Sequence, residues 1–246
     1  MPSVHGVGYI LKRLLDLMIS IPVLIILSPL MLVVALLVKF KIGSPVIFKQ
    51  DRPGMNGRIF TLYKFKTLLD LYDENGNLLP DKDRLTPFGD FLRSFSIDEL
   101  PQFINVVKGE MSAIGPRPQM EKYWELLSDE QKKVFNIKPG ITGWAQINGR
   151  NTLTWEKRFE LDSWYLENWS IWLDVKIAFI TIWKILIREG IKHPGCATMV
   201  EFTGSRKAKY YEQWKFRSDD SVTGAEFVSP VLKKSNDAKI GVSDYN

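Results

Sequence analysis

The sequence predicts a predominantly α-helical protein with one small β-hairpin, an α+β fold mounted on an N-terminal membrane segment. Three observations carry that prediction. An uncharged run of 22 residues extends from Leu17 to Val38. Apolar residues recur at helical spacing in four stretches beyond Val38, between Leu100 and Arg188. Two short β-prone runs flank a turn-rich stretch, Arg52-Pro53-Gly54 with Asn56-Gly57. The 246 residues are 45% hydrophobic and 25% charged, too apolar for a disordered protein and too charged for a polytopic channel. The single Cys196 excludes an internal disulfide, and His5 and His193 are too few and too far apart in sequence for a closed zinc site. A net charge of +5 suits anionic headgroups or phosphates and is too small to indicate nucleic acid.

At about 1.5 Å per residue, the uncharged run reaches across the roughly 30 Å of a hydrocarbon core. It exceeds a signal-peptide core and no small-residue cleavage site comes after it, so it is expected to stay in the mature protein. Lys12 and Arg13 precede the run while Lys39 and Lys41 come after it, so the positive-inside rule assigns no direction. Both ends look cytoplasmic, though a kinked spanning helix is an alternative, since spanning helices tolerate Pro. A re-entrant helix-break-helix satisfies both flanks, broken at Ser28-Pro29, where Ser28 can bond a carbonyl freed by the proline. Three regions result: a re-entrant membrane hairpin and its flanks over 1–45, a cytosolic catalytic domain with interfacial helices over 46–205, and a polar extension over 206–246.

Within the middle region, Val46–Phe48 and Ile59–Phe65 are the expected strands, and the polar stretch Leu68–Arg84 is a loop or insertion. Leu100, Phe103, Ile104 and Val107 keep helical spacing up to Gly109, which is placed to end that helix. Gly115-Pro116-Arg117-Pro118 is a rigid turn before a second helical face at Met120, Tyr123, Trp124 and Leu127. Trp155, Phe159, Asp162 and Leu166 form a stripe interrupted by a carboxylate, which marks Asp162 as buried or pocket-facing. Ile171–Arg188 is amphipathic, and four of the eight tryptophans fall between Trp164 and Trp183, the composition of an interfacial helix.

The chain has no Walker, Rossmann or nucleophile-elbow signature. One D-x-D triplet, Asp81-Lys82-Asp83, lies in the polar loop, and 15 aspartates yield about one such triplet by chance. Of three Asp-Glu dipeptides, Asp73-Glu74 runs into a turn and Asp129-Glu130 into a capping box. Asp98-Glu99 has two readings. Ser96 or Asp98 can cap a helix whose first turn tolerates Pro101. The pair can equally supply a nucleophile or a magnesium ligand, and the neighbouring cations favour this. Arg93 lies five residues upstream, Lys64 and Lys66 alternate along a strand, and Arg117 sits between prolines, where its planar fork can meet a phosphate. Membrane segment, carboxylate pair and rigid arginine together point to phosphoryl transfer at a membrane surface.

These segments resemble the bacterial sugar transferase family: Lys12-Arg13 with Asp16, Phe48 to Gly54, Tyr63 to Thr67, Leu92-Arg93-Ser94, Ile97 to Gln102, Asn105 to Ser112, Gly115 to Pro118, and Pro139 to Gln146 with Asn148-Gly149-Arg150. The likeness runs in order from about Leu11 to Gly204 and is closest to monotopic phosphoglycosyl transferases of the PglC type. It implies transfer of a phosphosugar from a UDP-sugar, an N-acetylated amino sugar by this likeness, to polyprenyl phosphate at the cytoplasmic face of the inner membrane. It also implies UMP release, magnesium, a re-entrant break at Ser28-Pro29, and a nucleophile at Asp98 with Glu99 beside it, both as metal ligands. Lys66, Arg93, Arg117 and Arg150 are then the phosphate contacts, with Asp162 in the pocket. Val134-Phe135 stands where many relatives carry Arg-His. The rival readings are a membrane-anchored scaffold and a UDP-releasing glycosyltransferase using Asp81-Lys82-Asp83; oligomeric state is not legible in the sequence.

Overall fold

The computed structural model describes residues 7–149, 152–187 and 202–204; the 206–246 extension and Arg150 lie outside the described residues. The apolar run forms the centre of one helix, α1 (Val7–Lys41). Among the described residues it is the one helix long and apolar enough to cross a membrane. Its helical run passes through Ser28-Pro29, the place where a re-entrant helix would bend. Pro29 offers no N–H to the Ile25 carbonyl one turn back, and the Ser28 hydroxyl donates to that carbonyl instead, at 2.8 Å. The helical run therefore passes both Pro22 and Pro29.

The chain then forms an antiparallel hairpin, β1 (Ile47–Pro53) and β2 (Ile59–Phe65), in register from Ile47 with Phe65 to Pro53 with Ile59. Bridges at Leu68–Leu85 and Tyr72–Leu78 tie together the expected loop, which ends in one turn, α2 (Asp81–Arg84). The next helix, α3 (Pro87–Ser94), starts at Thr86, whose hydroxyl accepts from the Gly89 N–H at 2.9 Å. After it, α4 (Gln102–Lys108) ends, as expected, at Gly109, which adopts φ 86°. Two three-residue strands, β3 (Ser112–Ile114) and β4 (Gly140–Thr142), pair in parallel. They are too short to show alternation, so the sequence reading missed them. A Cβ on Gly140 would come within 2.1 Å of the Gly115 nitrogen, so this crossing requires glycine. The expected helical face after Pro118 is a 3-10 segment over Glu121–Leu126. The remaining helices are α5 (Asp129–Lys132), α6 (Trp144–Ile147), α7 (Trp155–Asn168) and α8 (Ile171–Ile187).

Both ends of α1 are bound to this body. At its start Lys12 is buried, donating to Asp174 at 2.6 Å, to the Ile114 carbonyl at 2.9 Å and to the Tyr165 oxygen at 3.3 Å. The Tyr165 hydroxyl and the Trp169 indole N–H donate to the same Asp174 carboxylate, at 2.6 and 3.1 Å. Asp16 accepts from the Ser112 hydroxyl at 2.8 Å and the Ala113 N–H at 2.9 Å. Lys12 is thus an internal partner, buried in the body at the start of the apolar run. Near the far end, Val34, Val38 and Ile42 are buried in one cluster with Phe65 of β2 and Leu92 of α3. Between them the helix is mostly open, with Ile25, Ile26 and Leu32 all exposed.

The outward face of α8 is also apolar: Trp172, Phe179, Trp183 and Leu186 are 77%, 71%, 62% and 70% exposed. Spacings of seven, four and three residues put them on one side of the helix, a patch that water disfavours and a bilayer interface accommodates. The opposite face packs Leu173 and Ile177 against Ala113, Ile114, Ile147 and Tyr165.

Removing one partner of a buried ion pair leaves an uncompensated charge, a loss of about 3–5 kcal/mol. Lys12→Met is therefore expected to lower the thermal midpoint of the detergent-solubilised protein sharply. The double variant Lys12→Met/Asp174→Leu is expected to recover part of that loss, and thermal unfolding of the three proteins checks it.

Candidate active site

The carboxylate pair lies in a short 3-10 turn, Ile97–Glu99, between α3 and α4. Ser96, just before it, adopts φ 56° and ψ 22°, and neither its side chain nor that of Asp98 makes a capping bond. The capping reading therefore fails in the structure. The strained Ser96 backbone turns the chain so that both carboxylates face the β2 strand.

Glu99 is doubly clamped. It accepts from Lys64 Nζ at 2.7 Å and from the two Arg117 Nη atoms at 2.6 and 3.5 Å. Burial pushes its carboxyl upward, but Arg117 and Lys64 outweigh burial and hold it far below the usual carboxylate range. Asp98 is buried with Lys64 Nζ at 3.9 Å, and no hydrogen-bond donor reaches its carboxylate among the described residues. Burial raises its pKa above the ordinary aspartate value, with Lys64, Arg93 and Arg117 pulling the other way. One carboxylate is thus spent on holding cations, while its neighbour keeps free oxygens and greater basicity.

The fork of Arg117 grips Glu99, so the bidentate contact expected for a phosphate is made here to a carboxylate. Arg93 donates to Thr67 Oγ1 at 3.0 Å and adds its charge beside Asp98. Lys66 departs from expectation. Buried at the end of β2, it donates to Asp70 at 2.5 Å and to the Ser44 carbonyl at 3.3 Å, and touches neither carboxylate of the pair. β2 ends at Phe65, so Lys66 falls just past the strand whose alternation had put it level with Lys64. The Asp81-Lys82-Asp83 triplet also stands apart, with Asp81 paired to Arg84 at 3.6 Å.

Two further arginines surround Arg117 that sequence reasoning did not single out as site residues. Burial and the charge of Arg117 together lower the pKa of Arg52, and likewise of Arg158, to about 10. Three guanidinium groups repelling one another in this way favour an anionic guest. Arg158 lies one turn before Asp162 on α7, an i, i+4 spacing that was visible in the sequence. Asp162 is 1% exposed and neither carboxylate oxygen has a hydrogen-bond partner among the described residues. Burial raises its pKa to about 7 against the pull of Arg158. Val134 and Phe135 point inward, into a cluster with Tyr123, Phe159 and Phe202, so this segment fills core where an Arg-His pair would offer charge.

Among the described residues no group of three or more His, Cys, Asp or Glu gathers to cage a metal. The free oxygens of Asp98 beside Glu99 do fit magnesium, which takes one or two carboxylates and completes its shell with substrate phosphates and water.

The family model described as Bacterial sugar transferase matches residues 7–188. The chain belongs to that family. It is 54% identical over 196 residues to the uncharacterized sugar transferase EpsL of Bacillus subtilis, covering 80% of this chain and 97% of that one. It is 43% identical over 196 residues to a Klebsiella pneumoniae protein named UDP-glucose:undecaprenyl-phosphate glucose-1-phosphate transferase, covering 75% of this chain and 42% of that one. Against the undecaprenyl-phosphate galactose phosphotransferase of Salmonella typhimurium the identity is 38% over 197 residues, covering 73% of this chain and 41% of the relative. The chain thus spans nearly all of EpsL but under half of the two relatives with named reactions.

In this sugar transferase, the raised pKa of Asp162 sets a pH dependence of stability. The folded protein holds the Asp162 proton more tightly than the unfolded chain does. Asp162 therefore costs stability progressively as pH rises from about 4, its unfolded value, to about 7, and fully above that. Asp162→Asn is expected to raise the thermal midpoint relative to the parent more at pH 8 than at pH 5; thermal melts at the two pH values check it.

Proposed function

We propose that the chain transfers a phosphosugar from a UDP-sugar to polyprenyl phosphate, releasing UMP, through a covalent phosphosugar on Asp98. The observation that carries this is the division of labour in the pair: Glu99 accepts hydrogen bonds from Lys64 and Arg117, while Asp98 has only the longer 3.9 Å ion pair with Lys64 and no hydrogen bond among the described residues. The Klebsiella relative's name gives a UDP-sugar donor, and both that name and the Salmonella relative's give undecaprenyl phosphate, which supports these donor and acceptor classes. Glucose and galactose are the sugars in those names; the N-acetylated amino sugar remains a proposal beside them.

In the first displacement an Asp98 oxygen attacks the sugar-linked phosphorus. The bond from that phosphorus to the bridging oxygen breaks, and UMP leaves with the oxygen. In the second, an oxygen of the lipid phosphate attacks the same phosphorus and the Asp98 carboxylate is released. Lys64 and Arg117, fixed by Glu99, and Arg93 stand where negative charge accumulates during both displacements, so they offset repulsion between an anionic nucleophile and an anionic phosphate. Magnesium, which Asp98 would hold with Glu99 contributing only if it loosens from Arg117 or Lys64, would supply further neutralisation of the diphosphate.

The fastening of both α1 ends to one body supports the re-entrant topology, with the catalytic body at the cytoplasmic face. The exposed middle of α1 and the apolar face of α8 then enter the same leaflet and hold the site at headgroup depth, where the acceptor phosphate resides.

Purified enzyme incubated with UDP-sugar and magnesium but no lipid is expected to gain the mass of a phosphosugar on the peptide containing Asp98, with UMP as the released nucleotide. Asp98→Asn is expected to remove both adduct and turnover. UDP in place of UMP would support the rival glycosyltransferase, and no nucleotide release from any donor in a UDP-sugar panel would support the scaffold.

A further inference from the structure

Away from the carboxylate pair, the first turns of α1 border a recess of about 530 Å³. Tyr9, Arg13 and Asp16 of α1 line it, with Asn56 at the hairpin tip and Ser112 and Lys138 beside the β3–β4 pair. Most of its charges are accounted for. Lys12, also on the wall, is paired with Asp174, and Asp16 accepts from Ser112 and Ala113. Arg13 donates to the Val106 and Val107 carbonyls at 2.5 and 2.8 Å, closing the C-terminal end of α4. Lys138 Nζ lies 5.3 Å from the centre of the Tyr9 ring, its one partner among the described residues. Neither cation meets a carboxylate there, yet the two converge. A Cβ placed on Gly109 would lie 3.5 Å from Arg13 Nη2 and 3.6 Å from Lys138 Nζ.

The same turns of α1 carry Ile10, Leu14 and Met18 on their other side, 59%, 51% and 70% exposed. Acyl chains can cover that side while the recess opens where the apolar run begins, the level of phospholipid headgroups. None of Asp98, Glu99, Lys64 or Arg117 lines the recess. A phosphate seated here is therefore away from the reacting carboxylate, unlike that of an acceptor.

We propose that this recess binds the phosphate of an anionic glycerophospholipid, with Lys138 and Arg13 as its charged contacts. Such a lipid offsets the repulsion of the two cations and fastens the start of α1 to the leaflet. The inference rests on the membrane placement proposed above and not on the chemistry at Asp98.

The test uses the full chain in neutral mixed micelles holding equal phosphatidylglycerol and phosphatidylcholine. Lipid retained through gel filtration is counted by mass spectrometry, and UMP release is read in parallel. Wild-type protein is expected to enrich phosphatidylglycerol, and Lys138→Gln to lose that enrichment roughly fivefold while UMP release is kept. Lys49→Gln, an exposed lysine outside the recess, is expected to retain the enrichment. Equal retention by wild type and Lys138→Gln, or equal loss in Lys49→Gln, would overturn the site. Displacement of the retained lipid by millimolar inorganic phosphate or by a short polyprenyl phosphate would overturn the glycerophospholipid assignment. Enrichment without UMP release would refute the proposed reaction and leave the recess standing.

Discussion

The buried ion pair of Lys12 with Asp174 fixes where the membrane helix meets the rest of the molecule. Two charges out of water are tolerated here because the carboxylate also receives the Tyr165 hydroxyl and the Trp169 indole. With Asp16 holding Ser112 and Ala113, this network joins α1 to β3, α7 and α8 at once. Val34, Val38 and Ile42 then hold the other end against β2 and α3. β2 carries Lys64 and α3 carries Arg93, so the elements that clamp the helix also bring cations to the carboxylate pair.

At the site itself, charge is distributed unevenly between chemically similar groups. Arg117 and Lys64 converge on Glu99 and leave Asp98 with weaker electrostatic compensation for its burial. Arg52 and Arg158 crowd Arg117 from other sides. With Lys64, Arg93, Arg117, Arg52 and Arg158 outnumbering Asp98, Glu99 and Asp162, the arrangement suits an anionic guest better than a neutral one.

Much of this was legible where periodicity or turn chemistry is strong. The hairpin, the α4 helix with its Gly109 terminus and the amphipathic α8 all arise from patterns of apolar residues and turn formers. The β3–β4 pair was not, since three residues carry no alternation and parallel partners 28 positions apart leave no local sign. The site was legible in residue type: Asp98, Glu99, Arg93 and Arg117 are brought together. Choosing between Lys64 and Lys66 needed the end of a strand, which sequence locates poorly. At Pro29 the loss of a backbone donor is local and legible, whereas the bond from the Ser28 hydroxyl to the Ile25 carbonyl depends on a rotamer.

The central claim is that both ends of α1 lie on one side of the bilayer, joined to a single catalytic body. Single cysteines at Ser3 and Ser44, in a chain with Cys196 replaced, can be probed with a membrane-impermeant maleimide in sealed vesicles of each orientation. The account predicts that both positions label in inside-out vesicles and neither in right-side-out vesicles. Labelling from opposite sides would contradict it, because the helix would then cross the membrane.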